Sequence, residues 1–138
     1  MLEFAEVGPA DLLYDLGSGD GRIPIMAAQE FGARAVGIEL DEKLRKHAEE
    51  KSREYGLVDR VSFRAEDFFK ADLHDATVVS LYLLTQVNGY LGPRLASQLK
   101  KGARVVALDY PVPGWHEEKS IPVKSEGNVD YNLFLYRR

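Results

Sequence analysis

The sequence has no cysteine, and its three histidines, His47, His74 and His116, are scattered without ligand spacing. Disulfides, thiolate catalysis and thiolate zinc sites are excluded, and no metal centre is expected. No apolar run is long enough to span a membrane and the N-terminus carries no basic-then-apolar signal, so the chain reads as cytoplasmic, with no membrane partner. Positive charge is not in excess. Lys and Arg number 18 against 22 Asp and Glu, a net charge of −4 that disfavours nucleic acid as the main partner. Gln and Asn are sparse beside plentiful Glu, Lys and Arg, a balance found in proteins of hot environments. The chain's 138 residues predict one domain over 1–138 with one core. The oligomeric state is not legible.

What is present is organised around one stretch, Tyr14-Asp15-Leu16-Gly17-Ser18-Gly19-Asp20-Gly21-Arg22. An apolar run, Leu12 to Leu16, enters it and a helical apolar pattern, Ile23 to Phe31, leaves it. Glycines at alternate positions allow the sharp strand-to-helix turn, because a Cβ would clash or forbid positive φ. The first N–H groups of the helix are left unpaired and form a cofactor seat. The dinucleotide fingerprint G-x-G-x-x-G is not matched, since Gly21 comes one residue early and Arg22 takes the last position. Asp15, just before the first glycine, would repel a pyrophosphate and suits an ammonium or hydroxyl group. A cationic, phosphate-free cofactor fits better than NAD.

Further along, strands and helices alternate. Ala35 to Glu39 reads as a second strand ending in an acid about 20 residues past the glycine loop, the spacing of a carboxylate that grips ribose hydroxyls. Asp41 caps a helix reaching about Tyr55, with Leu44, Ala48 and Tyr55 on one face. Val61 to Ala65 is a third strand, followed by Asp67 and Phe68. Ala76 to Leu84 holds a central strand, and Leu91, Leu95 and Leu99 mark a helix with Pro93 near its start. Ala103 to Asp109 is a fifth strand, Pro111 to Trp115 a loop, and Ser120 to Lys124 with Tyr131 to Tyr136 a closing hairpin. Alternation predicts a parallel sheet with helices on both faces, binding its ligand at the carboxyl ends of the strands.

Asp15-Leu16-Gly17-Ser18-Gly19-Asp20-Gly21 resembles the first motif of class I S-adenosylmethionine (SAM) methyltransferases. The resemblance implies an α/β, Rossmann-like domain: a mostly parallel seven-stranded sheet with a C-terminal antiparallel hairpin. It implies SAM as cofactor, held by Asp15, Gly17, Ser18, Gly19, Glu39, Leu40, Asp67 and Phe68, with Asp67 taking the adenine amino group and Phe68 packing on the ring. The Asn/Asp-Pro-Pro-aromatic motif of many amino methyltransferases is absent, replaced by Leu81-Tyr82-Leu83-Leu84. Val78 to Asn88 and Arg104 to Trp115 instead resemble minimal archaeal protein-lysine methyltransferases and their mitochondrial relatives. That implies protein lysines as acceptors, with Tyr82, Asn88, Asp109 and Trp115 as acceptor-side candidates. Aromatic faces there, including Tyr110, favour an ammonium, and an apolar channel favours the free amine. The alternatives are a small-molecule or RNA methyltransferase on the same core, or a SAM-binding subunit without turnover.

Overall fold

A computed structural model describes residues 1–138. Its elements in chain order are β1 (Leu12–Leu16), α1 (Arg22–Phe31), β2 (Arg34–Ile38), α2 (Glu42–Glu54), β3 (Val61–Arg64), β4 (Val78–Leu81), α3 (Thr85–Gln98), β5 (Arg104–Leu108), β6 (Lys119–Lys124) and β7 (Asp130–Arg137). The strands form one 7-stranded sheet in the order β3-β2-β1-β4-β5-β7-β6. The five from β3 to β5 are parallel, whereas β7 runs antiparallel to both β5 and β6. β4 and β1 are buried without alternation because both faces are covered. Leu91, Leu95 and Leu99 pack with Tyr14, Ile38, Val79, Leu81 and Val105 on one face. Ala27, from α1, packs with Leu13, Ala35, Val78, Val106 and Leu135 on the other.

Three expectations are corrected. Pro93 lies in the interior of α3, not near its start, which is Thr85. It occupies an exposed position on the helix, where its ring meets solvent. The face of α2 is Ala48 and Ser52, while Leu44 and Tyr55 are 40% and 53% exposed. A charged helix with so narrow a buried stripe is held by its N-cap, where Asp41 accepts from the Leu44 N–H at 3.1 Å, and by packing against β3. The strand at Ala76 to Leu84 is shorter than expected, Val78–Leu81, because the chain leaves the sheet at Tyr82. Pro122 sits within β6, an edge strand, where a missing N–H breaks no ladder.

At the sheet's opposite end a polar lock holds the N-terminal segment. Arg104 pairs with Asp11, and its Nη1 donates to the carbonyls of Ala5 at 2.6 Å and Glu6 at 3.0 Å. Thr77 Oγ1 donates to Asp11 at 2.8 Å. Leu2, Ala5 and Val7 are thereby seated in the core.

Candidate cofactor and acceptor site

β1 is the strand at which the sheet's order reverses: β2 lies on one side of it and β4 on the other. The loops after β1 and β4 therefore diverge to opposite faces and leave a crevice at their carboxyl ends. The glycine loop fills its floor. Gly17, Gly19 and Gly21 all take positive φ, at 78°, 58° and 82°. Gly17 and Ser18 donate to the Ile38 carbonyl at 2.9 and 3.0 Å, which ties the loop to the end of β2. The third glycine serves packing: a Cβ on Gly21 would lie 2.6 Å from Ala48 Cβ and 2.8 Å from Phe63 Cζ. Gly21 thus lets α1 start against α2 and β3.

Two adjoining cavities meet at Gly17. One, of about 440 Å³, is bordered by Asp15, Ser18, Gly19, Asp20, Tyr82 and Leu108 among others. The other, of about 270 Å³, is bordered by Glu39, Leu40, Glu66, Asp67, Phe68 and Phe69 among others. Gly17 carries no Cβ at their junction, where one would stand 3.3 Å from Leu83 and 3.7 Å from Phe68.

Each acid has a distinct setting. Asp15 is buried and accepts from Ser80 Oγ at 2.7 Å, while its Oδ2 has no protein donor. Burial pushes its carboxyl up to about 7, the Ser80 hydrogen bond opposes the shift, and nearby Glu39 adds to it. Glu39 accepts from Gly19 N–H at 2.7 Å through one oxygen and from Asp41 N–H at 3.0 Å through the other. Each oxygen keeps a lone pair for a further donor. Asp67 Oδ1 accepts from Phe69 N–H at 2.9 Å, which fixes the carboxylate beside the Phe68 ring. Leu40 is 64% exposed and presents an apolar surface to the second cavity.

The cofactor-side candidates Asp15, Gly17, Ser18, Gly19, Glu39, Leu40, Asp67 and Phe68 all border these two cavities. The acceptor-side candidates separate. Tyr82 borders the larger cavity, and its ring stacks on that of Tyr110 with centroids 6.3 Å apart. Asp109 holds the left-handed conformation at φ 66° and donates its N–H to the Asn132 carbonyl at 2.6 Å. Trp115 is elsewhere: it meets Tyr136 edge-on at 6.1 Å and lies over Gly92 of α3. Asn88 is fully buried under the loops and borders neither cavity.

Two residues escaped the sequence reading. Ser80 is the one polar side chain inside an apolar strand, a signal that was available. Tyr131 joins Tyr110 and Asp109 around the Tyr82 hydroxyl only because β7 runs antiparallel. Nothing in its local sequence marks it.

The sequence model of the ANTKMT methyltransferase domain matches residues 15–119, from the buried aspartate near the end of β1 to the first residue of β6. The chain belongs to the ANTKMT methyltransferase family. Among its relatives, a protein-lysine N-methyltransferase of Saccharolobus islandicus is 41% identical over 137 residues, covering 99% of this chain and 84% of that protein. The adenine nucleotide translocase lysine N-methyltransferase of Mus musculus is 37% identical over 83% of this chain, which spans only 49% of that protein. A crystal structure of an RNA methyltransferase from Salinibacter ruber in complex with S-adenosyl-L-homocysteine superimposes with a TM-score of 0.90 at 46% identity, covering 99% of this chain and 86% of that one. The chain is a SAM-dependent methyltransferase.

The site fits that cofactor. It offers a buried carboxylate with an unengaged oxygen and a second carboxylate with lone pairs to spare. It also has an apolar cavity beside a third carboxylate, and a junction that a Cβ would narrow. Ser18 Oγ is a buried hydroxyl with no partner in the protein.

Proposed function

We propose that the enzyme transfers a methyl group to lysine amines of proteins, and that Asp15, Glu39 and Asp67 hold the cofactor's ammonium, ribose and adenine respectively. The observation that carries the lysine reading is an aromatic cluster beside the larger cavity: Tyr82, which borders it, stacks on Tyr110, with Tyr131 and Asp109 near its hydroxyl. The similarity of 99% of this chain to a protein-lysine methyltransferase supports it.

Bound SAM supplies an electrophilic methyl group on a sulfonium. The residues of the chain must then deliver an amine with a free lone pair. Aromatic faces attract an ammonium as it arrives. Asp109, at the strand end, offers it a carboxylate that pairs with the ammonium and takes the proton the amine loses before it attacks, as the methyl leaves the sulfur. Leu81 and Leu108 line the cavity beyond, and desolvation there favours the neutral, nucleophilic amine. Tyr82 enters as the neutral phenol. Desolvation of its hydroxyl first, then Tyr131, Tyr110 and Asp109, hold it above the ordinary phenol value, so it stays protonated at neutral pH and orients the amine by hydrogen bonding. Positioning and desolvation are the main contributions such an in-line displacement needs.

RNA is the second reading, favoured by the name of the Salinibacter ruber protein. A phosphate backbone would meet Asp20, Asp109 and the net charge of −4, with no compensating cluster of Lys or Arg on the cavity rim beyond Arg22. Incubation with methyl-labelled SAM and a mixed cell extract separates the readings. Acid-stable label recovered as methyllysine in protein is expected; label confined to RNA or to the low-mass fraction would overturn the lysine assignment.

A further inference from the structure

Asn88 is fully buried, lies on the first turn of α3, and touches neither cavity. Its Nδ2 points at three carbonyl oxygens: Leu83 at 3.2 Å, Tyr110 at 3.0 Å and Pro111 at 3.3 Å. Its Oδ1 has no partner. Three acceptors on one side leave no ambiguity about which way the amide points, because a reversed amide would set oxygen against oxygen. Leu83 follows Tyr82 in the loop after β4, whereas Tyr110 and Pro111 belong to the loop after β5. No other side chain links these two loops by a hydrogen bond. The Tyr82–Tyr110 stack joins them at the surface. An apolar residue of that size would leave these carbonyls without their shared donor.

We infer that Asn88 is a positioning residue for the acceptor, which sets the separation of Tyr82 and Tyr110 by pinning both loops from beneath through one carboxamide. The inference rests on the acceptor entering between these loops. It does not rest on that acceptor being lysine.

The test compares wild type with Asn88→Leu, which keeps the size and removes the donor. The acceptor is total extract protein, or the extract's RNA if wild-type label goes there, so a failed lysine reading shows in wild type alone. Binding of S-adenosylhomocysteine by calorimetry is expected to stay within about twofold, because no cavity residue is altered. The kcat/KM for acceptor is expected to fall at least about tenfold, mainly through KM, as the stacked pair loosens. Trp115, the only tryptophan and a member of the loop after β5, reports the loosening as a red shift of its emission. An unchanged kcat/KM, or a loss of cofactor affinity as large as the loss in kcat/KM, overturns the inference. If Asn88→Leu does not fold, Asn88→Asp replaces it. A neutral carboxyl there can still donate one bond and an ionised one cannot, so its activity relative to wild type should fall with rising pH while cofactor affinity tracks wild type. A constant ratio overturns the inference.

Discussion

Asp15 illustrates what one residue contributes when burial and charge compete. Its carboxyl, raised to about 7, holds a proton in the folded protein at pH values where the unfolded chain has released it. Folding stability therefore falls as pH rises from the ordinary carboxylate range to about 7, and levels off above it. Asp15→Asn removes that cost. Its thermal midpoint should exceed that of wild type by several degrees at pH 8, and the difference should shrink toward pH 4; a pH series of melting curves checks this. Cofactor binding should run the other way. An ammonium pairs with the ionised form, so wild-type affinity weakens as pH drops below about 7, by up to tenfold per unit. Asp15→Asn binds weakly at every pH, and titration calorimetry separates the two behaviours. Ser80, by donating to Asp15, limits how far the carboxyl rises.

At the scale of elements, the strand–loop–helix unit after β1 shows two uses of glycine in one motif. Gly19 takes positive φ with open space around its α-carbon, while Gly21 takes it with Ala48 and Phe63 pressed against it. Gly19→Ala should lose about 1–2 kcal/mol from the left-handed conformation alone. Gly21→Ala adds overpacking of about 1–3 kcal/mol and should separate α1 from α2 and β3. Urea unfolding of the two variants is expected to rank Gly21→Ala as clearly the less stable, and equal midpoints would contradict the packing role. The motif was legible in the sequence as a turn. Which glycine faces the cavity and which faces a helix was not, because Ala48 and Phe63 come from elements 27 and more residues away that only the fold brings there. The same holds for Trp115. Its sequence neighbourhood suggests an acceptor-side aromatic, yet the absence of a side chain on Gly92 gives it a seat against α3 and Tyr136.

For the molecule as a whole, binding and folding are linked through Glu39, whose carboxylate ties the glycine loop to the start of α2 through Gly19 and Asp41. S-adenosylhomocysteine at about 100 times its Kd should stabilise the wild type by about 2.7 kcal/mol, a rise of about 10 °C in thermal midpoint for a chain of this size. Glu39→Ala should lose most of that ligand-induced rise, whatever its own midpoint; a full rise would remove Glu39 from the ribose contact.

Chain order and hydrophobic pattern were enough to determine the alternation of strands and helices, the glycine loop after the first strand and the acids at strand ends. Each is a local signal, carried by the period of apolar residues or by the conformations that only glycine adopts. The tertiary structure alone decided that Asp15 meets Ser80, that Asn88 lies beneath two loops and that Tyr131 comes beside Tyr82. These pairings join residues far apart in sequence through the parallel register of β1 with β4 and the reversed direction of β7. Burial then turns them into chemistry, by desolvating one carboxyl and by leaving one amide no partners except the carbonyls it holds.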